Sequence, residues 1–266
     1  MDINTLLAQP NALPSAPQAV LNLMKTFDEE DAHFDDIVEC IEADPVIVAK
    51  LLRLANSPMF YRGRPVESTG DAVRLLGQTK VRSLVIGLIA RDSFPALPES
   101  ILNQFWSFSA TCADLSRYLA GQISSDEDAA YTGGLLHMIG ELVMRVGLPR
   151  QMASLDSSKS GLLSLQRGAA EIQLLGYSYA EVGAALGKQW QLPERIVRII
   201  ANHRSPNLED MADVNAAVVH MASWRARALE LEMPEDEQIR LYPLATGKAL
   251  GIEPAKIVQW TPAPSR

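Results

Sequence analysis

Apolar positions recur at helical spacing along almost the whole chain. In the segment 34–44, Phe34, Ile37, Val38 and Ile41 fall at i, i+3, i+4 and i+7, the core-facing stripe of an amphipathic helix. Ahead of it, Pro14 and Pro17 open a helix with Val20, Leu21, Leu23, Met24 and Phe27 on its apolar face, and the acidic run 28–31 closes it. Asp44 and Pro45 read as an N-cap followed by proline at the first helical position, starting an apolar helix that Asn56, Ser57 and Pro58 end. Prolines, a glycine and two aromatics make 57–69 a loop. Ser68 or Thr69 then caps a short helix to Leu76, which Gly77 stops. Another helix runs from Thr79 to about Ser93, and the segment from Phe94 to Pro98 breaks the pattern.

Beyond that break the periodicity predicts a long helix from Ile101 to Gly121. Ser124 to Asp128 caps the next, which runs through His137 to about Val146 and ends over 147–149. Further helices are expected near 162–175, 178–190, 193–203, 210–230 and 236–250, with a short one over 254–260. No stretch alternates with period two between turn signals, so no sheet is needed. The expected fold is all-α: an N-terminal helical subdomain (1–97), a helical core (98–230) and a C-terminal helical extension (231–266).

Composition narrows the class. No charge-free apolar run reaches the length of a membrane span, and the N-terminus lacks the basic-then-apolar pattern of a secretory signal. Cys40 and Cys112 stand far apart, outside any CxxC spacing, and read as reduced, buried thiols of a cytoplasmic protein. The net charge of −8 argues against direct binding to nucleic acid, where affinity comes from neutralising phosphates. The charge is uneven: residues 1–49 carry ten Asp/Glu and one Lys, residues 50–91 eight Lys/Arg and two Asp/Glu. Such runs either solvate mutually attracting faces or build a basic docking surface.

Candidate chemistry is sparse. None of His33, His137, His203 and His220 is paired with another at i, i+3 or i+4, and no GxxxxGK[ST], GxSxG or HExxH is present. Gly133 and Gly134 lie within helical periodicity and suggest close helix packing, not a phosphate loop.

The segment from Tyr131 to Leu142, YTGGLLHMIGEL, resembles the central motif of the HD superfamily of metal-dependent phosphohydrolases, with His137-Met138 where that superfamily has a His-Asp pair. From about Leu13 to about Arg227 the chain resembles the HDOD domains, the degenerate branch of that superfamily. Leu13, Pro14 and Pro17 match its Leu-Pro-x-x-Pro start; Ile41, Asp44, Pro45, Leu51, Leu52, Asn56 and Ser57 fit the stretch that follows. Ala72, Leu75, Leu76 and Gly77, then Trp106 and Ser109, fit the next two motifs. Gly134 to Gly140 reads G-L-L-H-x-I-G, and Glu171, Leu175, Gly176, Ala180 to Gly183, Trp190, Leu192 and Pro193 complete the series. Order and spacing together carry the resemblance.

The resemblance implies an HD-domain-like helical bundle, and it places the superfamily's metal positions near Phe108 and on His137, Met138, Tyr179, Asn202, His203 and Ser223. Two of these keep an imidazole and none a carboxylate, so no metal, no cofactor and no catalytic residue is expected. Phe108, Met138 and Tyr179 are expected to fill the old cavity, with Glu171 as a candidate partner for His137. The function implied is that of a non-catalytic output or adaptor protein of bacterial signal transduction. It would act on a kinase, diguanylate cyclase or regulator in trans. The candidate contact surface is the loop of Phe60, Tyr61, Arg62 and Arg64, whose residue types are enriched at interface hot spots; the bland alternative is aromatics folded onto the core. A second reading is a sensor that binds a nucleotide or cyclic dinucleotide in the vestigial pocket or a cleft between the halves, with Arg53, Arg62, Arg64, Arg74 and Arg82 as phosphate contacts. Residual metal-dependent phosphohydrolase activity is not expected.

Overall fold

The structure is a computed structural model. It describes residues 1–9, 34–42, 48, 51–52, 54–57, 60, 63, 66, 68–78, 80–81, 97–157, 163–190, 192–209 and 214–261. All regular structure among them is helical, as the periodicity predicts. None of these helices is long and apolar enough to cross a membrane. The expected helices at 17–27 and 82–93, His33, and the loop residues Tyr61, Arg62 and Arg64 lie outside the described residues.

The chain forms two compact units, one of Met1–Pro14 with Phe94–Ala263 and one of Ser15–Ser93 with Pro264–Arg266. This division differs from the sequence reading at both ends. The first helix, α1 (Ile3–Leu7), belongs to the larger unit because the fully buried Leu6 seats against Gly147. A Cβ on that glycine would fall 2.2 Å from the leucine side chain. Residues 231–261 belong there too, for reasons given below.

In the smaller unit, α2 (Phe34–Glu42) buries Ile37 and Ile41, as its stripe predicts, and packs on α3 (Thr69–Leu76). Ser68 caps α3 by accepting the Asp71 N–H at 3.1 Å, and Gly77 ends it at φ +79°. That angle suits glycine, which has no Cβ to clash. Asn56 donates to the Leu52 and Val66 carbonyls and accepts the Val66 N–H, closing the loop between them. Phe60 is half-buried, with the Lys80 ammonium 4.4 Å above its ring. Arg74 is exposed and lies over Phe34 at 4.4 Å.

In the larger unit, α4 (Glu99–Gln122) packs on α5 (Glu127–Leu136). The helices α6 (Ile139–Gly147), α7 (Pro149–Ser157), α8 (Arg167–Leu175), α9 (Tyr179–Gln189) and α10 (Glu194–Asn202) follow. The core helix α11 (Val214–Glu230) touches α4, α5 and α10 and is buried on almost every face. Three short helices close the chain: α12 (Glu235–Arg240), α13 (Leu244–Leu250) and α14 (Pro254–Val258).

Four local expectations need correction. The helix predicted through His137 breaks at His137 and Met138, giving α5 and α6. The helix predicted over 236–250 breaks ahead of Pro243, which cannot supply the backbone N–H a continuous helix needs. α7 was not anticipated, although Pro149 stands at its first position. Cys40 is half-buried, whereas Cys112 is fully buried, which pushes its thiol up to about 12.

Close helix contact explains two glycine positions. A Cβ on Gly140 would fall 2.1 Å from the Tyr179 carbonyl oxygen and 2.4 Å from the Gly183 nitrogen, so α6 and α9 meet backbone to backbone. One on Gly134 would meet the Ala113 backbone at 2.9 Å, consistent with helix packing at the Gly133-Gly134 pair.

Candidate functional site

The turn between α5 and α6 drops His137 into the interior, fully buried. Its Nδ1–H donates to the Gly134 carbonyl at 2.6 Å, one turn back in α5. His203 ends α10 in the same manner, its Nδ1–H donating to Ile200 at 2.8 Å. A carbonyl can only accept, so both bonds fix the tautomer that leaves Nε2 as a lone pair. The two rings stand edge to face with centroids 5.1 Å apart. The Nε2 of His203 accepts from the Tyr179 hydroxyl at 3.3 Å, while that of His137 has no hydrogen-bond partner. Phe108 covers the other side of His137, centroid to centroid 5.5 Å.

The side chain that organises this cluster was missed in the sequence. Arg227, on α11, points inward and is 6% exposed. Its Nη2 donates to the Tyr179 hydroxyl at 3.2 Å and approaches the Met138 sulfur at 3.6 Å. Its Cζ lies 5.2 Å from the centre of the Phe108 ring. The guanidinium thus touches Phe108, Met138 and Tyr179 together, three of the positions that the resemblance aligns with metal ligands. A signal did exist: Arg225 and Arg227 are long cations in a mostly small and apolar helix, and Arg227 follows Ser223 by one turn.

The electrostatics follow from burial. His137 is pushed down to about 3, first by desolvation and then by Arg227. His203 is held well below its ordinary value by desolvation and by His137, and His220 is lowered by desolvation. All three imidazoles are neutral near pH 7, and the charge in the cluster is the guanidinium's.

Of the other expected positions, Ser223 is buried and donates to the His220 carbonyl at 3.1 Å, and Asn202 is exposed and takes no part. Glu171 does not partner His137. It accepts the Tyr179 N–H at 2.8 Å and the Arg167 Nε–H at 2.9 Å. Arg167 also bonds Glu141 at 2.6 Å and Asp156 at 2.9 Å, and Arg145 bridges the same two carboxylates. Desolvation and the neighbouring Glu141 raise Glu171 to about 8, and the two guanidiniums face the three carboxyl groups across the cluster. This cluster fixes the start of α9, and with it the ring of Tyr179.

The cavity is only partly filled. A pocket of about 280 Å³ remains within the larger unit and reaches Tyr179, His203, His220 and Arg227, with Arg204 beside them and Leu165 and Leu241 on its wall.

An all-helical unit that brings the buried His137 and His203 edge to face, with Tyr179 and Arg227 beside them, is an HD-domain-like helical fold. Residues 13–206 match the HDOD domain, and the chain belongs to that family. It is similar to a crystal structure from Shewanella amazonensis SB2B, provisionally named a phosphohydrolase, at 28% identity and a TM-score of 0.75 over 96% of this chain and 91% of that one. It is also similar to an HDOD domain protein of unknown function from Geobacter sulfurreducens, at 25% identity and a TM-score of 0.69 over 97% and 93% of the two chains. An uncharacterized protein of Treponema pallidum (strain Nichols) is 24% identical over 85% of this chain. The chain spans under half of that relative's length, 44%.

The HD-type fold implies metal ions, and the residues present do not fit them. Among the described residues, no group of three or more His, Cys, Asp and Glu is arranged to hold an ion. The His203 lone pair is taken by Tyr179, and a dication beside His137 would meet the Arg227 guanidinium and no carboxylate.

Proposed function

We propose that the chain is a non-catalytic signal-transduction protein of the output or adaptor kind, acting in the cytoplasm through contacts with a partner protein in trans. The observation that carries this reading is Arg227 among the former ligand positions. A fixed cation contacting Tyr179 and Met138 opposes the binding of a metal dication, and hydrolysis of the HD type needs such an ion to generate its nucleophile. Family membership supports the signalling role. The loop from Phe60 to Arg64 is the proposed docking surface, and a kinase, diguanylate cyclase or regulator is the class of partner.

The phosphohydrolase reading, which the Shewanella relative's name raises, is tested directly. Elemental mass spectrometry of the purified protein is expected to find iron, manganese and zinc far below one ion per chain. Turnover of a chromogenic phosphodiester with added manganese should match a buffer blank. Stoichiometric metal that disappears in His137→Ala, accompanied by turnover, would overturn the proposal.

A further inference from the structure

Two guanidiniums face the same pocket. Arg227 and Arg204 both line it, and among the described residues neither makes an ion pair with a carboxylate. Each of Arg227's hydrogen bonds goes to a neutral group, and its Nε–H has no partner. Arg204 lies over the Tyr179 ring at 5.8 Å. The contrast with Arg167 is informative: that arginine borders the pocket too, but three carboxylates surround it. Burying a charge without a partner is costly, and the cost falls when an anion supplies the missing half.

The sequence makes room for this arrangement. Gly168, early in α8, also lines the pocket, and a Cβ there would fall 2.2 Å from the Arg204 Cζ. Any larger residue would push that guanidinium away. Leu165, Trp224, Leu241 and Pro243 add apolar wall, beside the neutral polar groups of Ser164, His203, His220 and Ser223. The pocket therefore offers two cations, both against Tyr179, together with hydrocarbon wall. Its volume of about 280 Å³ lies at the lower edge of the roughly 300–1,000 Å³ usual for drug-sized ligands. That suits one phosphoryl group with a small apolar body.

We propose that this pocket binds a small phosphomonoester, its dianionic phosphoryl group held between Arg204 and Arg227 and its organic part against Leu165, Trp224 and Leu241. Bidentate guanidinium–phosphate pairing is the strong form of this contact. The site stands independently of how the chain engages a partner protein.

Phenyl phosphate is the probe, followed by titration calorimetry on the full chain, with phenol and benzoate as controls. Saturable binding at one site per chain is expected at millimolar concentration or below, with benzoate weaker and phenol weaker still. Arg204→Gln and Gly168→Ala should each weaken phenyl phosphate by about tenfold or more, the second by displacing the guanidinium without removing it. Arg227→Met should abolish binding; the Arg204 and Gly168 variants keep the test decisive if that protein fails to fold. Absence of phenyl phosphate binding, equal binding of phenol, or unchanged affinity in Arg204→Gln would overturn the proposal. Benzoate binding as tightly as phenyl phosphate would overturn the phosphoryl assignment.

Discussion

His137 carries one hydrogen bond, an unused lone pair and a position wholly out of water. Its folded-state pKa lies near 3 against an ordinary 6.5, so the folded protein binds fewer protons there than the unfolded chain. The stability this contributes is present above pH 6.5 and is lost as pH falls towards 3. A His137→Leu variant removes the titration while keeping an apolar side chain. Urea denaturation from neutral pH to pH 5 should show the stability difference shifting towards the variant by about 2 kcal/mol. A difference independent of pH would mean that the imidazole is solvated. The paired substitution is needed because Glu171, with its carboxyl raised to about 8, loses stability in the opposite sense as pH rises. At this scale much of the site was legible. His137, Met138, Phe108, Tyr179 and His203 come together as their alignment with ligand positions implied. Arg227 left only a faint signal, since no ligand position maps to it and only its long side chain brings its charge back among them.

Caps and breaks decide how much of each helix can be read from its residues. Ser68 and Gly77 bound α3 because a hydroxyl acceptor and a residue free of Cβ do their work locally. The α5–α6 break has no such local cause. His137 and Met138 are compatible with helix, and the chain turns there while α6 lies backbone to backbone on α9. Gly140 permits that approach. Gly140→Ala is expected to cost about 2–3 kcal/mol, since the atoms its Cβ would strike are backbone and cannot rotate aside. Denaturant unfolding measures this. A loss under half a kilocalorie, on the order of a neutral surface change, would show that the helices can separate cheaply. The amphipathic stripe of α2 was legible for the opposite reason: Ile37 and Ile41 are buried by their own periodicity, with no need of a distant partner.

On the scale of the molecule, Arg225 ties the C-terminal helices to the core helix α11. Arg225 donates to the Val258 carbonyl at 2.6 Å, to the Trp260 carbonyl at 2.9 Å and to the Gln238 side chain. Trp224 beside it meets Tyr242 edge to face at 5.6 Å. Periodicity could not show this, because a stripe gives the face that is buried and not the segment that buries it. Arg225→Ala should cost about 2 kcal/mol and speed amide exchange over 254–260 while leaving α4 and α5 protected. Uniform exchange across the chain would remove the staple.

The seat of α1 carries a consequence for how the chain is made. Leu6 leaves the ribosome about 140 residues ahead of Gly147, against which it packs. Between them the chain lays down Ser15–Ser93 of the smaller unit. The N-terminal helix must wait, exposed and too short to hold itself together, until the surface it completes has been synthesised.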